Sequence, residues 1–223
     1  MIIHREVEQG SFAWHTLRLG IPTASCFDRI LTPGGKPSRQ AECYLNELLA
    51  EWMIGRPIPG AETQWMIRGS DLEEDAVNAY EFHANATTAK VGIITTDDGM
   101  VGASPDRLVD DDRLLEIKCP KHSTHAGYML TGKIEDEYRP QLQGQLWITE
   151  RKAVDIVSYY PELPPVVISV QRDDAYIGDL AVALGTFVDV MLAKRKELEA
   201  RYGPFARAEM SRKEALLRGQ VTA

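Results

Sequence analysis

The chain has 223 residues, of which 44% are hydrophobic, and a formal net charge of −8. This length is enough for a substantial core, so we expect a single domain over residues 1–223. No stretch approaches the roughly 20 apolar residues that a membrane span needs, and the N-terminus lacks the pattern of a signal peptide, so we expect a cytoplasmic protein with no membrane partner. The three cysteines are odd in number and widely spaced, which argues against a disulfide framework and against a zinc or iron–sulfur site.

The acidic total argues against a surface that binds DNA over its whole extent. The charge is uneven, because residues 194–218 contain eight basic and four acidic residues within a basic C-terminal tail at about residues 194–223. A nuclease tolerates an acidic total when bound metal neutralises its site and basic residues line only the DNA track. The composition therefore leaves a DNA-processing enzyme open.

The N-terminal quarter combines an arginine with a predicted short helix. Thr23 or Ser25 is typical of a helix cap, and we expect the helix to run through Phe27 to Leu31. Backbone amides and hydroxyls at a helix start suit a phosphate when an arginine such as Arg18 is close. A capped helix with a surface arginine explains the same pattern.

Two longer helices are predicted next, over residues 38–55 and from about residue 63 to residue 83. In the second helix, apolar residues recur at helical spacing from Leu72 to Tyr80, which places Glu73 at the margin of the buried face. A lone glutamate in this position is more typical of a surface residue than of a metal ligand.

The middle of the chain predicts short strands. Residues 90–96 and 100–104 predict a hairpin, and residues 114–119 predict a further strand. We expect the second strand of the hairpin to lie beside the strand over residues 114–119, with the aspartates at residues 110–112 in the turn between them.

The strand over residues 114–119 carries charged residues among apolar ones. Glu116 and Lys118 share one face, because side chains alternate along a strand, and Ile117 points to the other face. A buried carboxylate is costly without a cation or a hydrogen-bond partner, and Asp106 brings a second carboxylate to the same place. The pair predicts a divalent metal with hard oxygen ligands, Mg²⁺ or Mn²⁺; the alternative is an ordinary salt bridge between Glu116 and Lys118.

The last third predicts a helix over residues 135–149, with Pro140 tolerated in its first turn. Strands over residues 153–160 and 166–171 follow, and an amphipathic helix over residues 174–201 closes the fold. This order of helices and strands predicts an α/β fold.

Several short motifs stand in the order found in one nuclease family. Asp106 after a proline, followed by Glu116-Ile117-Lys118, resembles the PD-(D/E)xK nuclease signature. The chain also resembles the bacteriophage lambda exonuclease family, the YqaJ-like viral recombinases, through VEQG at residues 7–10, AWH at 13–15, LRLG at 17–20, TAS at 23–25, SPD at 104–106, LEIKCP at 115–120 and QLQ at 141–143.

The resemblance implies a restriction-endonuclease-like core with a mixed central β-sheet flanked by helices. It implies an exonuclease that digests one strand of linear double-stranded DNA from the 5′ end to mononucleotides and leaves a 3′ single-stranded overhang. It further implies a homotrimeric ring around DNA ends, a single-strand annealing protein as partner in recombination, and a phage or prophage origin.

The resemblance also assigns roles to residues. It implies two Mg²⁺ ions, for which Mn²⁺ substitutes, held by Asp106, Glu116, the Ile117 carbonyl and Glu73. Lys118 orients or deprotonates the attacking water, or neutralises charge in the transition state, with Gln141 in support. The resemblance gives the pocket for the 5′-phosphate to Arg18 and Ser25. It gives a supporting role in the site to Tyr138 and Ser104.

Two other functions fit the same residues. An endonuclease would use the same chemistry without a need for DNA ends. A non-catalytic DNA clamp would bind without cutting, although two carboxylates beside phosphates do not suit a pure binder. The family pattern gives His122 and His125 no role.

Overall fold

A computed structural model describes residues 1–58 and 64–205, and for residues 64–70 it describes the backbone alone. The predicted start of the second helix near residue 63 and the part of the predicted basic tail beyond residue 205 lie outside the described residues.

Five strands form a mixed sheet in the order β2-β5-β6-β7-β8. They are β2 (Thr88–Ala89), β5 (Arg107–Val109), β6 (Arg113–Lys118), β7 (Ala153–Ser158) and β8 (Val166–Gln171). All neighbours are antiparallel except β6 and β7, which run parallel. A parallel pair needs a crossover connection, which two helices supply here, α4 (His122–Thr131) and α5 (Arg139–Thr149).

A second, antiparallel sheet contains β1 (Ile2–His4), β3 (Ile93–Thr95) and β4 (Gly102–Ala103) in the order β1-β3-β4. The predicted hairpin is therefore confirmed as β3 and β4. The prediction that its second strand lies beside β6 is wrong, because β5 occupies that place. The chain leaves one sheet for the other at Pro105, which has no N–H to donate to a strand partner.

Four further helices lie within the described part of the chain. They are α1 (Phe12–Arg18), α2 (Ala41–Ile54), α3 (Gln64–Ala84) and α6 (Asp174–Tyr202). The helix predicted after Thr23 is a 3-10 helix, Ala24–Arg29, and Thr23 does not cap it with its side chain. The cap prediction is wrong, because Thr23 makes no side-chain cap hydrogen bond and Ser25 lies inside the helix. Both hydroxyls accept from Arg18 Nη2, at 3.2 Å for Thr23 Oγ1 and 3.4 Å for Ser25 Oγ.

The two faces of the five-stranded sheet pack against different helices. Leu114 of β6 belongs to the large core that also contains apolar residues of α2, α5 and α6. Leu115 belongs to a smaller core with Val77 and Tyr80 of α3. Because side chains alternate along β6, Glu116 faces the side of α5 and Ile117 faces the side of α3. The expected mixed sheet flanked by helices is therefore confirmed.

The 3-10 helix and α5 approach each other closely. A Cβ atom on Gly144 would lie 2.3 Å from Phe27 Cδ2, which no real contact allows, so only glycine fits. This contact fixes the helix that carries Ser25 against the helix that carries Gln141.

By length and composition alone, α6 would be able to cross a membrane, so the expectation that no stretch reaches this threshold is wrong. The core helix of a soluble protein passes the same test, which makes it weak support for a span. Here Tyr176, Leu180, Leu184 and Met191 of α6 are buried in the large core, so packing explains its apolar side.

Candidate active site

The Glu116 carboxylate lies at the centre of a buried polar cluster. Its side chain is only 5% exposed, and Lys118 Nζ donates to Glu116 Oε1 at 2.8 Å. Gln141 Nε2, from the first half of α5, donates to the same oxygen at 2.6 Å. The predicted salt bridge between Glu116 and Lys118 is therefore present, but it is one part of a larger arrangement.

Sequence reasoning missed Gln145 as a member of this cluster. Gln145 Nε2 donates to Glu116 Oε2 at 2.7 Å, and the residue is buried. The signal was available, because residues four apart lie on the same face of a helix and Gln141 was already assigned to the site. Gln143, between them, points away and bonds to Gln171 O and Asp173 N.

Asp106 meets the cluster from the neighbouring chain segment. Its main-chain N–H donates to Leu115 O at 3.1 Å, and its Oδ2 accepts from Ile117 N at 2.5 Å. Main-chain groups two residues apart on a strand face the same way, and the N–H and C=O of one residue point to the same side. The Ile117 carbonyl therefore faces the side on which Asp106 lies.

The electrostatics of this pair favour a cation. Burial and the nearby Glu116 carboxylate raise the pKa of Asp106 well above its ordinary value. Two carboxylates and a main-chain carbonyl are hard oxygen donors of the kind that Mg²⁺ and Mn²⁺ prefer. Asp106, Glu116 and the Ile117 carbonyl therefore fit a divalent ion.

The third predicted carboxylate, Glu73, pairs with a neighbouring arginine. Arg107 is buried, and it donates to Glu73 Oε1 at 2.7 Å, to Glu74 Oε1 at 2.7 Å and to Asp106 O at 2.6 Å. Within residues 1–58 and 71–205, the structure contains no group of three or more His, Cys, Asp or Glu side chains that could hold a metal. The ligand role of Glu73 stays a prediction.

Lys118 is held from three sides. Besides Glu116, it contacts Gln141 Oε1 at 3.4 Å and lies 4.8 Å from the centre of the Tyr138 ring. Burial lowers the pKa of Lys118, but the Glu116 carboxylate outweighs this effect and the pKa lies above its ordinary value. Lys118 is therefore a cation in this arrangement.

The predicted phosphate residues lie together in a second cluster. Arg18 Nη1 donates to Ser104 Oγ at 3.2 Å, and its guanidinium stacks 4.1 Å from the centre of the Trp14 ring. As described above, Arg18 also reaches Ser25 and Thr23. Burial lowers the pKa of Arg18, but an arginine stays charged at any physiological pH.

The two clusters are close along the chain. Ser104 belongs to the arginine cluster and Asp106 to the carboxylate cluster, and two residues span at most about 7 Å. Gln9 fixes the corner between them, because its Nε2 donates to Pro105 O and to Val91 O, each at 2.9 Å.

His125, which the family pattern leaves without a role, has a structural one. It is buried and contacts Ser158 Oγ at 2.8 Å and Pro164 O at 3.1 Å. These contacts tie α4 to β7 and to the loop before β8.

Comparison with known proteins gives consistent matches. The family model described as YqaJ-like viral recombinase domain matches residues 13–152. Among solved structures, an alkaline exonuclease from Laribacter hongkongensis is 32% identical with a TM-score of 0.78, covering 86% of this chain and 97% of that chain, and its complex with dAMP gives the same values. A phage related exonuclease from Haemophilus somnus is 15% identical with a TM-score of 0.60, covering 78% and 96%, and shows the fold alone. No protein of curated function matches.

The electrostatic cost of Asp106 generates a stability prediction. A carboxyl whose pKa is raised on folding stabilises the protein below the unfolded pKa near 3.9, and this contribution is lost as the pH rises through the folded pKa. In a chelating buffer at pH 8, Asp106→Asn should therefore raise the free energy of unfolding by an amount on the order of 1 kcal/mol. Denaturant titration from pH 4 to pH 8 should show that the difference in free energy of unfolding between Asp106→Asn and wild type increases with pH.

Asp173→Asn is the control for this measurement. Hydrogen bonds from Tyr176 N–H and from Arg139 lower the pKa of Asp173, so removing this charge should decrease stability at pH 8. The electrostatic account of Asp106 is wrong if both variants lose stability at pH 8.

Proposed function

The chain belongs to the YqaJ-like viral recombinase family, and from this premise we propose that it is a metal-dependent 5′-to-3′ exonuclease acting on linear double-stranded DNA. The observation that carries the proposal is the buried pair of carboxylates, Asp106 and Glu116, beside the Lys118 cation. A divalent ion held there would supply a Lewis acid that makes hydroxide available from water and stabilises the charge of the leaving oxygen.

The ligands that we propose are Asp106, Glu116 and the Ile117 carbonyl, with Glu73 as a fourth and Mg²⁺ as the ion in the cell. Glu73 lies at the edge of α3 with its side chain 35% exposed, so it remains accessible from solvent while paired with Arg107. Glu73 belongs to the proposal because its place in the sequence matches the helix glutamate of the family, and Arg107, which pairs with it, also contacts Asp106 O.

Lys118 donates to Glu116 at 2.8 Å, so its Nζ lies beside the proposed ligands. There it would orient or deprotonate the attacking water, or neutralise charge in the transition state. Gln141 bridges Lys118 and Glu116, and Tyr138 covers Lys118 from the other side, so both side chains restrict its position.

The requirement for DNA ends rests on the arginine cluster. One guanidinium and three hydroxyls meet in this cluster, which is a donor set that suits a terminal phosphate. They belong to Arg18, Ser25, Thr23 and Ser104. A cavity of about 210 Å³ borders Arg18 and Thr23, and Arg29, Glu47 and Glu51 also line it. A phosphate bound there would lie close to Asp106, because Ser104 is only two residues from it. The 5′ polarity in the proposal comes from the family resemblance.

The wider context is proposed from the family. Release of mononucleotides agrees with the dAMP complex of the Laribacter enzyme. We propose that the product is a 3′ overhang for a single-strand annealing protein, that a homotrimeric ring encloses the duplex, and that the single-domain protein works in the cytoplasm of the host cell of a phage or prophage.

The direct test uses duplex DNA labelled at its ends, with and without Mg²⁺, beside closed circular DNA. Linear DNA should be degraded to mononucleotides only with Mg²⁺, and the circle should stay intact. Lys118→Ala should lower the rate by about 100- to 1000-fold. Lys152→Ala is the matched control, because Lys152 is exposed and pairs with Asp112 on the surface. Cutting of the circle would establish an endonuclease, and binding without degradation would establish a clamp.

A second prediction concerns the end pocket. Arg18→Ala should slow digestion of 5′-phosphorylated ends by about 10- to 100-fold, the value of a charge-assisted hydrogen bond, and should leave 5′-hydroxyl ends nearly unchanged. Arg172→Ala is the control, because Arg172 directly follows β8 at one edge of the five-stranded sheet and donates to Asp174 and to Leu146 O. Equal losses on both kinds of end would remove the phosphate pocket from the proposal.

A further inference from the structure

We infer that Gln145 is a positioning residue that orients Glu116 for cation binding, an inference that rests on the proposed function. Gln145 is 1% exposed and donates from Nε2 to Glu116 Oε2 at 2.7 Å. Gln141, one turn earlier on α5, donates to the other oxygen at 2.6 Å. Helix α5 therefore donates hydrogen bonds to both oxygens of the Glu116 carboxylate. These bonds fix the plane of the carboxylate as well as its position.

The distribution of hydrogen bonds distinguishes the two oxygens of Glu116. Oε1 accepts from Lys118 and from Gln141, whereas Oε2 accepts from Gln145. Each carboxylate oxygen has two lone-pair directions. Among the contacts within the described part of the chain, the greater remaining capacity therefore lies on Oε2, the oxygen that Gln145 orients.

A neutral donor suits this place. An arginine or lysine would fix the carboxylate equally well, but its charge would compete with a cation for Glu116. The amide of Gln145 fixes the carboxylate and leaves its negative charge available. Hydrogen-bond partners that orient a ligand in this way are known to control metal affinity.

The other end of the Gln145 amide shows which way the amide is turned. Its Oε1 is buried and has no hydrogen-bond partner among the described residues. A flip of the amide would exchange Nε2 and Oε1, and it is excluded because it would place an oxygen against Glu116 Oε2, which can only accept a hydrogen bond. The orientation of the Gln145 amide is therefore set by Glu116.

Gln143 provides the contrast on the same helix. It is equally buried, but both ends of its amide are bonded, Nε2 to Gln171 O and Oε1 to Asp173 N, each at 2.9 Å. Gln143 ties α5 to the connection between β8 and α6. It is a structural glutamine, and it serves as the matched control.

The experiment compares Gln145→Met and Gln143→Met in the full chain, with Mn²⁺ alone as the probe. Titration calorimetry without DNA should show the Kd for Mn²⁺ rise about tenfold or more in Gln145→Met and stay unchanged in Gln143→Met. Denaturant unfolding in chelator measures the stability that each variant loses, since each removes hydrogen bonds of a buried side chain. Gln145→Asn keeps the amide but withdraws it by one methylene, and it should raise the Kd for Mn²⁺ as well.

The outcomes separate this inference from the proposed function. If wild type binds Mn²⁺ and both Gln145 variants bind it equally well, the positioning role is overturned while the metal site stands. If Gln145→Met loses stability as Gln143→Met does and keeps its Mn²⁺ affinity, Gln145 is structural and the role is overturned. If wild type itself binds no Mn²⁺, the metal site is wrong and the role of Gln145 falls with it.

Discussion

The parallel pairing of β6 with β7 is the constraint on which the site depends. Parallel strands cannot be joined by a tight turn, so the chain must cross over between them, and the crossover lays α5 against one face of the sheet. Glu116 points to that face, where Gln141 and Gln145 meet it. On the other edge of β6, the antiparallel segment before β5 delivers Asp106 to the same strand.

This arrangement places two acids where folding alone would not put them. Burial and mutual repulsion make Asp106 and Glu116 costly, and among the described residues Lys118 forms the salt bridge with Glu116. Stability and activity conflict at such sites, and proteins commonly accept the loss of stability in exchange for function. A cation that joins the pair would relieve the repulsion, so substrate processing and local stability would depend on the same ion.

Much of this could be predicted from the sequence, for identifiable reasons. Long periodic segments gave the correct helices, and the alternation along β6 placed Glu116 and Lys118 on one face. The partner of β6 was predicted wrongly because a three-residue strand such as β5 (Arg107–Val109) has no pattern long enough to detect. The short helices α1 and α4 were missed because neither shows a clear apolar period over its 7 or 10 residues.

The residues of the site divide in the same way, into those that a sequence motif identifies and those that it does not. Asp106, Lys118 and Gln141 were predicted because several separate motifs stand in the order of one family. The structure places Asp106 against Ile117 N and Lys118 against Gln141. Gln145 and Arg107 were missed, because their roles depend on which acids lie opposite them in space. The central claim is that the two acids gather a cation. Anomalous diffraction from a crystal soaked in Mn²⁺ tests it most directly. The account predicts a peak in contact with both carboxylates and the Ile117 carbonyl; no peak, with the two acids turned apart, would contradict it.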